Sequence, residues 1–300
     1  SIHMSSTCLH YGQEAFEGLK AFRGKDGKVR IFRCEENALR MQKTAERVLM
    51  AAPPVELFRE MVHKVVQLNA RFIPPYGHGA TLYIRPLLIG TSPEVGVKPS
   101  EEYLLIMFVV PVGPYFKEGF KPVDMMICRD FDRAAPQGTG TVKVGGNYAA
   151  SLQSLAIAKK AGFSSTIYLD AKEKKYIDEC GPANFFGIKN KTYITPQSES
   201  ILPSITNKSL QQLAEHLGYK IEKRPVPIEG LAEFEEVAEC GTAAVITPIR
   251  KIVDPIANKT FTYGDPETPG PVCTELYNVY TAIQFGETED IFGWTEVVDI

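Results

Sequence analysis

The sequence predicts a two-domain α/β protein, a smaller N-terminal domain followed by a larger and more strand-rich one. Three observations carry this. The chain has 300 residues, more than one small domain needs. Helical and strand periodicities alternate along it. At Pro111-Val112-Gly113-Pro114 the composition changes, which sets an interdomain linker at about 111–121 and domains at 1–117 and 118–300.

The elements follow in order. Leu39, Met41, Ala45, Val48, Leu49 and Ala52 fall at helical spacing, so a helix is expected over 35–52. Pro53 stops it, and Pro54 suits the first turn of a second helix running to about Phe72. Thr81 to Ile89 reads as a strand with Tyr83, Arg85 and Leu87 on one face. Leu104 to Val110 is an unbroken apolar run, the pattern of a strand buried on both sides. Further strands are expected at 123–129, 165–170, 185–195, 220–226 and 243–249, and helices at 147–161, 206–217 and 271–285. Gly162, Gly218 and Gly286 stand where helices end in glycine. Ser1 leads almost directly into His10-Tyr11-Gly12, so the first strands of the N-terminal domain are expected to lie outside this sequence.

Composition excludes several functions. With 33 basic and 36 acidic residues the net charge is -3, which leaves no electrostatic footprint for nucleic acid or an anionic membrane. No apolar stretch approaches the roughly 20 residues that span a bilayer. Six scattered cysteines, with no Cys-x-x-Cys pair, read as free thiols of a cytoplasmic protein. Five dispersed histidines suggest no metal site.

The chemistry centres on Gly138-Thr139-Gly140-Thr141-Val142-Lys143-Val144-Gly145-Gly146-Asn147-Tyr148. It is not a phosphate-binding P-loop, because Val142 and Val144 occupy the glycine and hydroxyl positions of that motif. A buried lysine among glycines and valines would have a lowered pKa, which suits a Schiff-base amine. On this segment alone a solvated loop lysine is the commoner outcome.

Lys143 to Tyr148 resembles the cofactor-lysine motif of the class IV pyridoxal-phosphate aminotransferases. So do Leu9-His10-Tyr11-Gly12, Phe16-Glu17-Gly18, Tyr83-Ile84-Arg85-Pro86, Arg133-Ala134-Ala135-Pro136, Leu202-Pro203-Ser204-Ile205-Thr206, Gly241-Thr242-Ala243-Ala244 and Gly286-Glu287-Thr288-Glu289-Asp290. Their order over residues 10–294 is similar to the branched-chain amino acid aminotransferases. The resemblance implies a two-domain fold-type IV architecture whose C-terminal domain is barrel-like. It also implies transfer of the amino group of leucine, isoleucine or valine to 2-oxoglutarate, with pyridoxal 5′-phosphate as cofactor.

Residue roles follow from that resemblance. Lys143 would hold the cofactor as a Schiff base and move the proton at the substrate Cα. Glu179 would pair with the pyridine nitrogen, and Tyr148 would hydrogen-bond the ring oxygen. Arg40, Ile205, Thr206 and Thr242 would bind the phosphate. Tyr83 with the amides of Thr242 and Ala243 would take the α-carboxylate, and Arg85 the distal carboxylate of glutamate. Phe16, Tyr11, Tyr115, Tyr148, Val95 and Val97 would form the apolar wall. The family resemblance further implies a homodimer that places Tyr11, Val95 and Val97 in the neighbouring subunit's site. Taken singly, each has a blander reading: Glu179 a solvated turn, Arg40 a surface arginine, Thr206 a helix cap, Phe16 and the valines ordinary core. A D-amino acid aminotransferase or an aminodeoxychorismate lyase of the same fold would share Lys143, Glu179 and the phosphate turns, whereas a non-catalytic relative would be expected to lose the lysine or the ring carboxylate, and both are present. Tyr83 with Arg85 favours the branched-chain reading.

Overall fold

The computed structural model describes residues 1–114 and 120–300. The chain packs into two compact units: unit 1 is Ser1–Tyr115, Val142–Gly146 and Thr281–Ile300, and unit 2 is Phe116–Thr141 and Asn147–Tyr280. In chain order the first elements are α1 (Thr7–Tyr11), β1 (Glu14–Phe16), β2 (Leu19–Arg23), β3 (Val29–Phe32), α2 (Cys34–Arg47), α3 (Val55–Leu68), β4 (Thr81–Gly90) and β5 (Tyr103–Val112). Then come β6 (Val123–Cys128), α4 (Gly145–Ala149), α5 (Leu152–Lys160), β7 (Ser165–Leu169), β8 (Ile177–Cys180), β9 (Asn184–Lys189), β10 (Thr192–Thr195) and α6 (Ile205–His216). The last are β11 (Lys220–Lys223), β12 (Glu236–Gly241), β13 (Val245–Asp254), β14 (Lys259–Thr262), α7 (Pro271–Gln284) and β15 (Thr295–Val298).

Unit 1 is a six-stranded sheet in the order β1-β4-β2-β3-β15, with β5 paired along β4. Register sets its two faces. Glu14 and Phe16 lie opposite Ile89 and Leu87, and Lys20 lies opposite Tyr83. Opposite residues of paired strands share a face, so Glu14, Phe16, Lys20, Tyr83, Arg85 and Leu87 line one side. The other side carries Ala15, Ala21, Leu82, Ile84 and Leu88. They form one core with Met41 and Ala45 of α2 and Phe58, Val62 and Val66 of α3. Burying each large apolar side chain there contributes about 1.5–3 kcal/mol.

α2 stops at Arg47, short of the expected Ala52. Leu49 enters the left-handed region at φ 54, and the Met50 amide turns back onto Ala45 O at 2.8 Å. This is a helix-terminating turn with leucine where glycine is usual, held by burial of Met50. The second expected helix ends at Leu68, and a short 3-10 turn covers Ala70–Phe72.

The expectation that Leu104–Val110 is buried on both sides is corrected. Tyr103, Leu105, Met107 and Val109 pack on the core, whereas Leu104, Ile106, Phe108 and Val110 are exposed. These four lie opposite Ile89, Leu87, Arg85 and Tyr83. The face that bears Tyr83 and Arg85 therefore continues outward as an open apolar stripe.

Unit 2 is built on a ring of six strands, β9-β12-β13-β6-β7-β8, closed where β8 meets β9. Its interior packs Met125, Ile127, Ile167, Phe185, Val237 and Ile252 among others. The strand expected over 185–195 is a β9–β10 hairpin, because Asn190 and Lys191 both turn left-handed (φ 48 and 57). The helix expected over 147–161 is two helices, α4 and α5. The strand expected at 243–249 runs on to Asp254, and Gly162, Gly218 and Gly286 do follow helices at positive φ. All six cysteines are free thiols. Among the described residues no helix is long and apolar enough to cross a membrane.

Candidate active site

In unit 1 the Lys143 segment is pinned at three points. Phe16 N–H donates to Lys143 O at 3.1 Å. Lys143 N–H donates to Thr44 Oγ1 at 3.1 Å, and the Gly145 N–H donates to a Glu14 carboxylate oxygen. Val142 and Val144 on either side of the lysine are buried. The Lys143 ammonium lies 4.6 Å from the centre of the Phe16 ring, a cation–π contact. The solvated-loop alternative for Lys143 and the plain-core alternative for Phe16 both give way to this arrangement.

Phe16 carries a second cation. The Arg85 guanidinium lies 4.7 Å from the same ring and 5.2 Å from that of Tyr83, and Arg85 Nη2 donates to Tyr83 Oη at 2.7 Å. Arg85 Nε is buried with no hydrogen-bond partner. Tyr83 can stand there because residue 18 is glycine: a Cβ on Gly18 would come within 2.2 Å of the phenol oxygen. Lys20 shares the face, and burial pushes its ammonium down to about 8.

Arg40, one turn before Thr44 on α2, is committed on one edge. Its Nε and Nη2 reach the two carboxylate oxygens of Glu17 at 2.7 and 2.8 Å, and Glu17 is fully buried. Asn37 adds a further donor to Glu17 at 2.7 Å. A bidentate pair of this kind fixes the guanidinium plane, so Arg40 is an oriented residue and no longer reads as a surface arginine. Sequence reasoning assigned no role to Glu17. The Tyr11 hydroxyl donates to Val95 O, and Val95 and Val97 are 79% and 87% exposed, so these valines are not core. Tyr115 lies outside the described residues.

In unit 2, Glu179 is not a solvated turn residue. It sits in β8 at 2% exposure. Its Oε1 accepts from Asn184 Nδ2 at 2.9 Å and from the Leu202 amide at 2.6 Å, and Oε2 pairs with Arg133 at 2.5 Å. Arg133, itself buried, also donates to Ser200 O at 2.7 Å. Arg133 and Asn184 are supports that the sequence analysis gave no role. Tyr148 lies on α4, partly buried.

Ile205 and Thr206 open α6. The cap is Ser204, whose hydroxyl oxygen accepts from the Asn207 amide at 3.1 Å, so Thr206 is not the cap. The first turn of a helix presents N–H groups that have no intrahelical acceptor. Thr242 and Ala243 form the turn between β12 and β13, and Val245 just after it is held at φ 67. A β-branched residue there is strained by roughly 1–3 kcal/mol, a cost that clusters at ligand-binding turns.

Each unit by itself carries groups of kinds that suit pyridoxal phosphate: unit 1 an amine on an aromatic face and an oriented arginine, unit 2 a buried carboxylate with fixed orientation and a helix N-terminus. The sequence profile of the amino-transferase class IV family matches residues 14–252, and the chain belongs to that family. The branched-chain-amino-acid aminotransferase of Haemophilus influenzae is 51% identical, covering 99% of this chain and 88% of its own. That of Helicobacter pylori is 49% identical, covering 96% and 84%. Within class IV, the chain falls with the branched-chain amino acid aminotransferases. The solved Escherichia coli branched-chain amino acid aminotransferase superposes with a TM-score of 0.86 at 30% identity, over 100% of this chain and 94% of that one. A second solved branched-chain amino acid aminotransferase, from T.th. and with pyridoxamine 5′-phosphate bound, gives 0.87 at 26% identity, over the same 100% and 94%.

Proposed function

We propose that the protein moves the amino group of L-leucine, L-isoleucine or L-valine to 2-oxoglutarate with pyridoxal 5′-phosphate held on Lys143. The observation that carries this reading is the Arg85–Phe16–Lys143 row, with a buried Arg85 Nε–H that has no acceptor. An unsatisfied charged donor is costly, by roughly 1–3 kcal/mol or more. A ligand carboxylate would repay that cost, while the aromatic ring beside it receives an aliphatic side chain.

When bound, the cofactor supplies an electron sink for the pair left on the substrate Cα. Lys143 Nζ takes the Cα proton and returns it. Glu179 keeps the pyridine nitrogen protonated, and Asn184, Leu202 N–H and Arg133 hold that carboxylate in place. Arg40, the amides of Ile205 and Thr206, and Thr242 bind the phosphate, and Tyr148 donates to the ring oxygen. Tyr83, with the Thr242 and Ala243 amides, receives the α-carboxylate. Arg85 receives the distal carboxylate of glutamate. Phe16, Tyr11, Tyr148, Val95 and Val97 supply apolar contact, and Tyr115 is proposed with them.

The working form is a homodimer in which Tyr11, Val95 and Val97 serve the neighbouring subunit. The open stripe of Leu104, Ile106, Phe108 and Val110 supports association of this kind. Six free thiols suit a cytoplasmic setting. The test is direct: purified protein should absorb near-visible light as a cofactor-bound enzyme and turn over leucine with 2-oxoglutarate. Colourless protein that neither binds added pyridoxal phosphate nor turns over would refute the reading.

A further inference from the structure

Glu14 belongs to none of the assigned roles, yet it lies on the same sheet face as Phe16, Tyr83 and Arg85. Its carboxylate accepts the N–H of Gly145, two residues past Lys143. A Cβ at residue 145 would come within 2.4 Å of Glu14 Oε1 and 3.3 Å of its Cδ, so a larger residue would displace the carboxylate from this position. The backbone of Gly145 does not need positive φ, so close approach of this carboxylate is the reason the structure shows for glycine at 145. The lysine's own N–H and C=O are already held, by Thr44 and by Phe16 N–H. Those two contacts hold the backbone polar groups of residue 143. The next backbone group held is the Gly145 amide, two residues on, and its acceptor is Glu14.

We propose that Glu14 is a positioning residue for Lys143: by gripping the Gly145 amide it fixes the turn that aims the Lys143 side chain across the Phe16 ring. Burial raises the Glu14 carboxyl above its ordinary range, and the Gly145 amide and the Arg85 charge oppose that rise. The geometric hold on the carboxylate is the Gly145 amide.

The inference rests on Lys143 being the cofactor lysine, and the experiment separates the two. Apoprotein of the wild type, E14A, E14Q, G145A and E14A/G145A is mixed with pyridoxal phosphate, and formation of the borohydride-reducible link is followed by absorbance. Circular dichroism and Tm establish that each variant is folded. E14A should slow attachment by roughly ten- to a hundredfold, the range one charge-assisted hydrogen bond supports. E14Q should recover most of that rate, since its amide oxygen can accept the same N–H. G145A alone should also be slow, but adding it to E14A should cost little more, as expected for two halves of one contact. If E14A does not fold, E14Q and G145A still decide the matter: a slow G145A with a near-normal E14Q supports the contact, and a G145A at the wild-type rate overturns it. Attachment by E14A at the wild-type rate, or multiplying effects in the double variant, overturns the proposal while leaving Lys143 in place. A label that maps to another lysine in the wild type overturns both.

Discussion

Glu239 offers a prediction that depends only on unit 2. It lies on β12 opposite Phe185 and Thr247, and it is 6% exposed. Phe185 belongs to the barrel core. Glu239 Oε2 has no hydrogen-bond partner, nor has the Thr247 hydroxyl beside it. Burial is the largest influence on the carboxyl and raises it from its ordinary 4.5 to about 7. The folded state thus holds a proton that the unfolded chain has released. Stability from this group is full below pH 4.5 and is lost as pH rises through 7. The size is 2.303RT times the difference, about 3 kcal/mol. Glu239→Gln keeps the shape and cannot ionise. Urea unfolding of both proteins at pH 4.5 and pH 8 should show the wild type losing about 3 kcal/mol more than the variant across that interval. Parallel pH profiles, or a variant that is the less stable one at pH 8, would refute the reasoning.

Three substitutions test the site. Glu179→Gln leaves buried Arg133 without its counter-charge, so it should cost roughly 3–5 kcal/mol in unfolding experiments and most of kcat while cofactor still binds. An unchanged kcat would mean that another group pairs with the ring nitrogen. Arg85→Ala should lower kcat/KM for glutamate and 2-oxoglutarate by roughly ten- to a hundredfold and leave leucine much less affected, read by single-turnover absorbance. Equal losses would make Arg85 a structural support of Tyr83. Gly18→Ala drives a methyl against the Tyr83 phenol and should raise KM for amino acid and oxo acid alike by roughly tenfold, about one hydrogen bond. An unchanged KM would separate Tyr83 from α-carboxylate binding.

Much of the architecture was legible because its signals are local. Helical spacing marks α2, Pro53 and Pro54 mark the start of α3, and glycines at 162, 218 and 286, all at positive φ, mark helix ends. β1 to β3 have three to five residues, too few for any periodicity to stand out. The Asn190-Lys191 turn sits in the short polar break Lys189-Asn190-Lys191-Thr192, where asparagine at 190 is the local signal and lysine at 191 gives no warning of a left-handed backbone. β5 misleads for a different reason. Both of its faces are apolar, and the pattern cannot distinguish burial within one chain from a surface left open. For the site, ordered motifs bring out Lys143, Glu179, Arg85 and Arg40. Their supports were not legible, since Glu14 meets Gly145 across 131 residues and Thr44 meets Lys143 across 99. Pairings at that range leave no trace in spacing; the one clue was a glycine at 145 with no turn to explain it.

Everything proposed for the site depends on Lys143 being the amine that carries the cofactor. Borohydride reduction of the holoenzyme, followed by protease digestion and mass mapping, tests it in one step. A single pyridoxyl label is expected, on the peptide containing Lys143, and no label in Lys143→Ala. Lys20 is the rival, because burial lowers its pKa to about 8 on the same sheet face. A label on Lys20, or a Lys143→Ala protein that still traps cofactor and turns over leucine, would contradict the account.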